Sequence, residues 1–119
     1  MDERSKWIDY KGKKLFHMDL SGVDEENQLK ILEYSSKKWI SSNEKTILLL
    51  NDIRNTFITE KIKISAQRAV QAVRNSGKKI FVALIGITGV KRVIANTIEK
   101  EMYISKDIED AKEWLLKQE

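Results

Sequence analysis

The sequence predicts one α/β domain with elements in the order β-β-α-β-α-β-α-β-α. The sheet is mixed but mostly parallel, with an antiparallel hairpin at the N-terminus and four helices packed on it. Three observations carry this. Two short apolar runs, TILLLNDI (46–53) and KIFVALIGI (79–87), have strand length and no alternation, as strands covered on both faces do. The segments between and after such runs place apolar residues at helical spacing. The first twenty residues instead alternate with period two around a glycine.

The elements follow in order. Trp7, Ile8 and Tyr10 lead into Lys11-Gly12-Lys13, and LFHMDL (15–20) then alternates Leu15, His17 and Asp19 with Phe16, Met18 and Leu20, a β-hairpin pattern. Asp24 or Ser21 caps a first helix over 24–41, with Glu25 and Glu26 in its positive first turn. Leu29, Leu32, Trp39 and Ile40 form its expected apolar face. A second helix starts near Glu60, buries Ile62, Ala66, Ala69, Val70 and Val73, and ends at Asn75-Ser76-Gly77, where glycine accepts positive φ. A third helix is expected over 89–100, facing inward through Val90, Val93, Ile94 and Ile98. MYIS (102–105) is a short last strand, and Ser105 or Asp107 caps a final helix burying Ile108, Ala111, Trp114 and Leu115.

Composition narrows the function. At 119 residues the chain is long enough for one self-sufficient core, so residues 1–119 are taken as one domain. The absence of cysteine removes disulfides, thiolate nucleophiles and Cys-based metal sites. No apolar run approaches the roughly 18 residues of a membrane span, and MDERSKWIDY lacks the apolar core of a signal peptide, so a cytoplasmic protein is expected. The net charge of +4 is uneven: residues 54–100 hold ten Lys/Arg against Glu60 and Glu99, a local balance of +8 between acidic ends. One face of positive potential is expected.

Two loops beyond strand ends, NDIRNTFIT (51–59) and GITG (86–89), fall in or beside this basic stretch, where parallel sheets bind ligands. Gly86-Ile87-Thr88-Gly89 with Lys91 and Arg92 has neither the spacing nor the Lys-Ser/Thr pair of a phosphate-binding P-loop. It reads first as a strand-to-helix turn and second as a generic anion site made of Thr88, Gly89, Lys91 and Arg92 at a helix N-terminus. Asn51, Asp52, Arg54, Asn55 and Thr56 crowd the other loop, and Asp52 and Arg54 either serve a site or pair to tie the loop down. Phe57 and Ile58 are expected to pack inward; an outward Phe57 marks a partner surface instead. Thr59 is an N-cap, and Lys61 lies just beyond it.

His17 is the single histidine, expected to face solvent or the opposite sheet face, and no G-x-S-x-G elbow or metal-ligand spacing accompanies it. No catalytic residue, cofactor or metal is therefore assigned. Trp7, Trp39 and Trp114 read as core or half-buried anchors.

ILLLNDIRNTFIT after the first crossover, and ALIGITGVKRVIANTIEK before SKDIEDAKEWL, resemble the small bacterial SpoIIAA-like proteins. These belong to the STAS superfamily (sulfate transporters and anti-sigma factor antagonists), here in its SEC14-like branch. The resemblance covers nearly the whole chain and implies a non-enzymatic regulatory or protein-interaction module. It implies a partner resembling an anti-sigma factor or its kinase. In relatives a serine in an Asp-Ser-Ser-Gly run at the start of the helix after the central strand is phosphorylated. This chain reads Ile58-Thr59-Glu60-Lys61 there, leaving Thr59 as the nearest hydroxyl and candidate phosphorylation site. The alternative is a carrier of a lipid or small anion, with an apolar pocket beside the basic loops. Either way Arg54, Asn55, Thr56, Phe57, Lys61, Thr88, Gly89, Lys91 and Arg92 are the expected binding residues. Nucleic acid ranks third, since the cations of 54–100 come at helical intervals opposite the apolar stripe, as an ordinary solvated face supplies them. Edge strands and amphipathic helices would also allow a homodimer.

Overall fold

A computed structural model describes residues 3–86 and 102–118. Along them run β1 (Ser5–Tyr10), β2 (Lys13–Asp19), α1 (Glu25–Ser41), β3 (Thr46–Asp52), α2 (Glu60–Asn75), β4 (Lys79–Ile85), β5 (Tyr103–Ser105) and α3 (Ile108–Leu116). The helix expected over 89–100, and with it Thr88, Gly89, Lys91 and Arg92, lies outside the described residues. Three of the four expected helices are described, on a five-stranded mixed sheet.

The strands lie in the order β1-β2-β3-β4-β5. β1 and β2 are antiparallel, with Ser5 opposite Met18 and Tyr10 opposite Lys13. The two residues between them, Lys11 and Gly12, both have positive φ (47° and 86°), which a two-residue hairpin needs to match the strand twist. The remaining pairs, β2–β3, β3–β4 and β4–β5, are parallel. Right-handed crossovers that step in one direction across a sheet put their helices on one face. α1 and α2 accordingly share a core with Phe16, Met18, Ile47, Leu49, Val82 and Leu84. α3 covers the other face through Ala111 and Leu115 on Leu15, Leu48, Leu50 and Ile85. β3 contributes Ile47 and Leu49 to one cluster and Leu48 and Leu50 to the other, which is why its sequence is apolar without alternation.

All three helix starts are capped by side chains. Asp24 accepts from the Asn27 N–H at 2.9 Å, Thr59 from Ile62 at 3.2 Å and Asp107 from Asp110 at 2.8 Å. Each such cap contributes about 1 kcal/mol. α1 departs from its expected face. Its buried stripe is Gln28, Ile31, Leu32, Ser35 and Trp39, whereas Ile40 is 39% exposed. One residue rotates a helix by about 100°, so Trp39 and Ile40 cannot both face the sheet centre. Ser35 is accepted in the core because its hydroxyl meets that of Ser5 at 2.7 Å.

Phe16 organises the larger cluster. It is fully buried and meets Trp7 and Trp39 edge-to-face, with centroids 5.0 and 5.8 Å apart. Trp114 anchors the other side, stacked on Tyr103 at 5.0 Å. Replacing Phe16 by alanine removes the middle ring of three. The expected cost is about 3–5 kcal/mol, read as a lowered urea midpoint at unchanged slope.

Candidate functional site

The carboxyl ends of β2, β3 and β4 converge on Asp52, the last residue of β3. Its side chain is 3% exposed, and it carries charge there because Arg54 folds back on it. Arg54 donates from Nε to Oδ1 at 3.0 Å and from Nη2 to Oδ2 at 2.7 Å, and its backbone N–H reaches Oδ1 at 3.1 Å. Burial pushes the Asp52 carboxyl up; the Arg54 side-chain and backbone hydrogen bonds and the guanidinium charge outweigh it, leaving the group below its ordinary 3.8. Of the two roles the sequence leaves open for this pair, the structure realises the tie that holds the loop.

That tie brings Arg54 against the end of β4. Gly86 has φ +95°, and a Cβ there would lie 2.7 Å from the Arg54 backbone nitrogen. Only glycine admits this approach. Asn55 follows in the left-handed region at φ 53°, which asparagine tolerates better than most residues. The Ile53 N–H extends the ladder to the Ile85 carbonyl at 2.9 Å.

Thr56 joins the loop to the turn after β2. It is buried, and its hydroxyl donates to the Leu20 carbonyl at 2.5 Å and accepts the Gly22 N–H at 3.2 Å. Two more backbone bonds, Leu20 N–H to Asp52 and Gly22 N–H to Arg54, complete the seam at 2.8 and 3.1 Å. The strand order does not reverse at these strands, and the seam fills the space between the two loops. Thr56 is thus a structural residue rather than a free ligand contact.

Phe57 is a correction to the inward packing expected for it: its side chain is 79% exposed, while Ile58 enters the core as expected. The main chain at Phe57 is held, since its carbonyl accepts from Gln28 Nε2 at 3.2 Å. With Thr56 fixed below and Ile58 buried behind, the only direction left for the ring is outward. Arg54, Asn55 and Lys61 are exposed nearby in sequence, and Thr59 is half-buried in its cap. Lys63 pairs with Glu60 at 3.2 Å.

His17 shares the strand face of Leu15, the α3 side, as expected. Burial lowers its pKa against the opposing pull of Asp19 and Asp52, and its Nε2 has no hydrogen-bond partner among the described residues. Asp19 is engaged with Ser21 and Arg4. Among the described residues no three His, Asp or Glu side chains are grouped to hold a metal, and no helix is long and apolar enough to cross a membrane.

A cavity of about 60 Å³ lies between the sheet and the α1–α2 layer. Met18, Leu32, Leu49, Ile62, Val70 and Met102 line it, together with Gln28, Trp39 and Asn51. No ionisable side chain among the described residues lines it. Gln28 and Trp39 were not among the expected site residues. The signal for Gln28 is a polar residue at helical spacing with Leu32, Ser35 and Trp39, and its meaning depends on what faces it.

Comparison of the chain with protein-family models, with curated proteins and with solved structures finds no match. The functional reading therefore rests on the geometry above and on the sequence resemblance.

The Asp52–Arg54 tie sets a pH dependence. A carboxyl whose folded pKa lies below its unfolded value adds stability that is complete above about pH 4 and is lost as pH falls through the folded pKa. Asp52→Asn is expected to cost about 1–3 kcal/mol at pH 7. The gap between wild type and variant should narrow as urea melts are taken down toward pH 3.

Proposed function

We propose that the chain is a non-enzymatic regulatory or protein-interaction module of STAS type, working through the surface after β3. The observation that carries this is Phe57, an aromatic residue 79% exposed on a loop held by the Gln28 bond to its own carbonyl and by the Thr56 hydroxyl bond to Leu20. An aromatic ring that is already positioned loses little freedom on binding, and such rings are favoured as interface anchors. Lys61, exposed four residues on, favours a partner whose apolar pocket carries a carboxylate at its rim. A partner resembling an anti-sigma factor or its kinase follows from the resemblance alone.

Thr59 is the candidate switch. Its hydroxyl caps α2, so a phosphate there would sit at the positive end of the helix, two residues after Phe57. The carrier reading is favoured by one observation, the apolar cavity under α1 and α2. At about 60 Å³ it is well below the roughly 150 Å³ of an engineered cavity that takes up benzene. It is therefore the second reading.

A photo-crosslinking amino acid at position 57, compared with one at Glu33 on the exposed face of α1, tests the surface in cells. One discrete adduct from position 57 and none from 33 is the expected result. Phe57→Ala should weaken binding of the crosslinked partner by about 30-fold or more, while fold stability changes by less than about 0.5 kcal/mol. Equal adducts from both positions, or unchanged binding by Phe57→Ala, would rule the surface out. Peptide mass mapping of the captured chain reports whether Thr59 carries phosphate.

A further inference from the structure

The cavity behind the interaction surface holds three polar atoms that neither the fold nor the Phe57 loop employs. Gln28 Oε1, Trp39 Nε1 and Asn51 Oδ1 are buried and have no hydrogen-bond partner among the described residues. Gln28 and Trp39 are each 1% exposed, and all three side chains line the same cavity. Native interiors leave few such atoms unsatisfied, so three around one space point to something that belongs in it.

The chemistry of that occupant follows from the donor and acceptor inventory. The orientation of Gln28 is determined by its neighbours: its amide nitrogen donates to the carbonyls of Val23 at 2.8 Å and Phe57 at 3.2 Å, which can only accept. The amide oxygen is therefore the atom left over, an acceptor. The Trp39 indole can only donate, and the Asn51 amide, which no hydrogen bond among the described residues orients, presents either an acceptor or a donor. A fixed acceptor, a fixed donor and an amide free to adapt are complemented by a primary carboxamide, which carries two donors and one acceptor. The remaining wall is aliphatic and thioether, suited to a short apolar body, and Met18 and Met102 can adjust to its shape. With no ionisable side chain among the described lining residues, an anion would be buried without a counter-charge.

We propose that the cavity between α1, α2 and the sheet is a binding site for a small uncharged carboxamide, held by Gln28, Asn51 and Trp39. This goes beyond the interaction surface; the two share only Gln28, whose amide nitrogen holds the Phe57 carbonyl while its oxygen is left unpaired. It also differs from a carrier of anions or lipids, because the group recognised is neutral.

The test uses the full chain with ¹³C-methyl methionine, titrated with propionamide and, separately, with propionate, its charged counterpart of similar size. Saturable shifts of the Met18 and Met102 methyl signals in the millimolar range are expected from propionamide, with no saturable response to propionate. Trp39→Phe keeps most of the packing and removes the donor, and should weaken binding about three- to tenfold. Ala66→Leu, which fills the cavity, should abolish it. Shifts that grow without saturating, as for a cavity occupied by water alone, would overturn the proposal. So would an equal response to propionate, or unchanged affinity in Trp39→Phe. If Ala66→Leu does not fold, the Trp39→Phe and propionate results decide the matter. The Phe57 crosslinking result does not depend on this cavity, so each idea can fail alone.

Discussion

A buried carboxylate at the end of the central strand organises the carboxyl end of the sheet. Asp52 retains its charge inside the protein because Arg54, two residues on, supplies three side-chain hydrogen bonds and one from the backbone. A buried ion survives only with such compensation. Its consequences spread by geometry. The turn that returns the guanidinium presses Arg54 on Gly86, puts Asn55 into the left-handed region and delivers Thr56 to the turn after β2. Once Thr56 is bonded there and Ile58 is buried, Phe57 has only solvent to face.

The order of the strands explains why the apolar cavity and the exposed loop lie on related parts of the molecule. Because β2, β3 and β4 follow one another without reversal, α1 and α2 sit side by side on one face. The loops that launch them are neighbours and share Thr56. Open α/β sheets bind ligands where adjacent loops diverge; here the two loops after β2 and β3 converge and are stitched together. Room remains instead beneath the helices, where Gln28 reaches from α1 to the Phe57 carbonyl and also borders the cavity. The second face, under α3, is more densely occupied by rings, with Tyr103 stacked on Trp114 and Phe81 edge-on to it.

The elements legible in the sequence are those with a local cause. Thr59, Asp24 and Asp107 cap their helices because each has a short oxygen-bearing side chain at the right step before an apolar periodicity. Ile47 to Leu50 form a strand because four consecutive apolar residues need cover on both faces. The misjudged positions lacked such a cause. Ile40 was expected on the inner face with Trp39, but adjacent helical residues diverge by about 100° and Trp39 took the core. Phe57 was expected inward on the strength of its apolarity, which says nothing about whether neighbours leave space for it. Of the candidate binding residues, Arg54 and Thr56 proved to be ties within the loop, and Phe57 stands exposed.

By itself the sequence determined the class of fold, the positions of most strands and helices, the Thr59 cap, the N-terminal hairpin and the basic middle of the chain. These follow from periodicity, backbone preference and charge, which act over a few residues. Only the tertiary structure decided which helices share a face, that Asp52 is buried and Arg54 neutralises it, and that Gln28, Trp39 and Asn51 surround one cavity. Those facts join residues from different elements, far apart along the chain. Burial and unmet hydrogen bonds are properties of a residue's surroundings, which come into being only when the strands and helices pack.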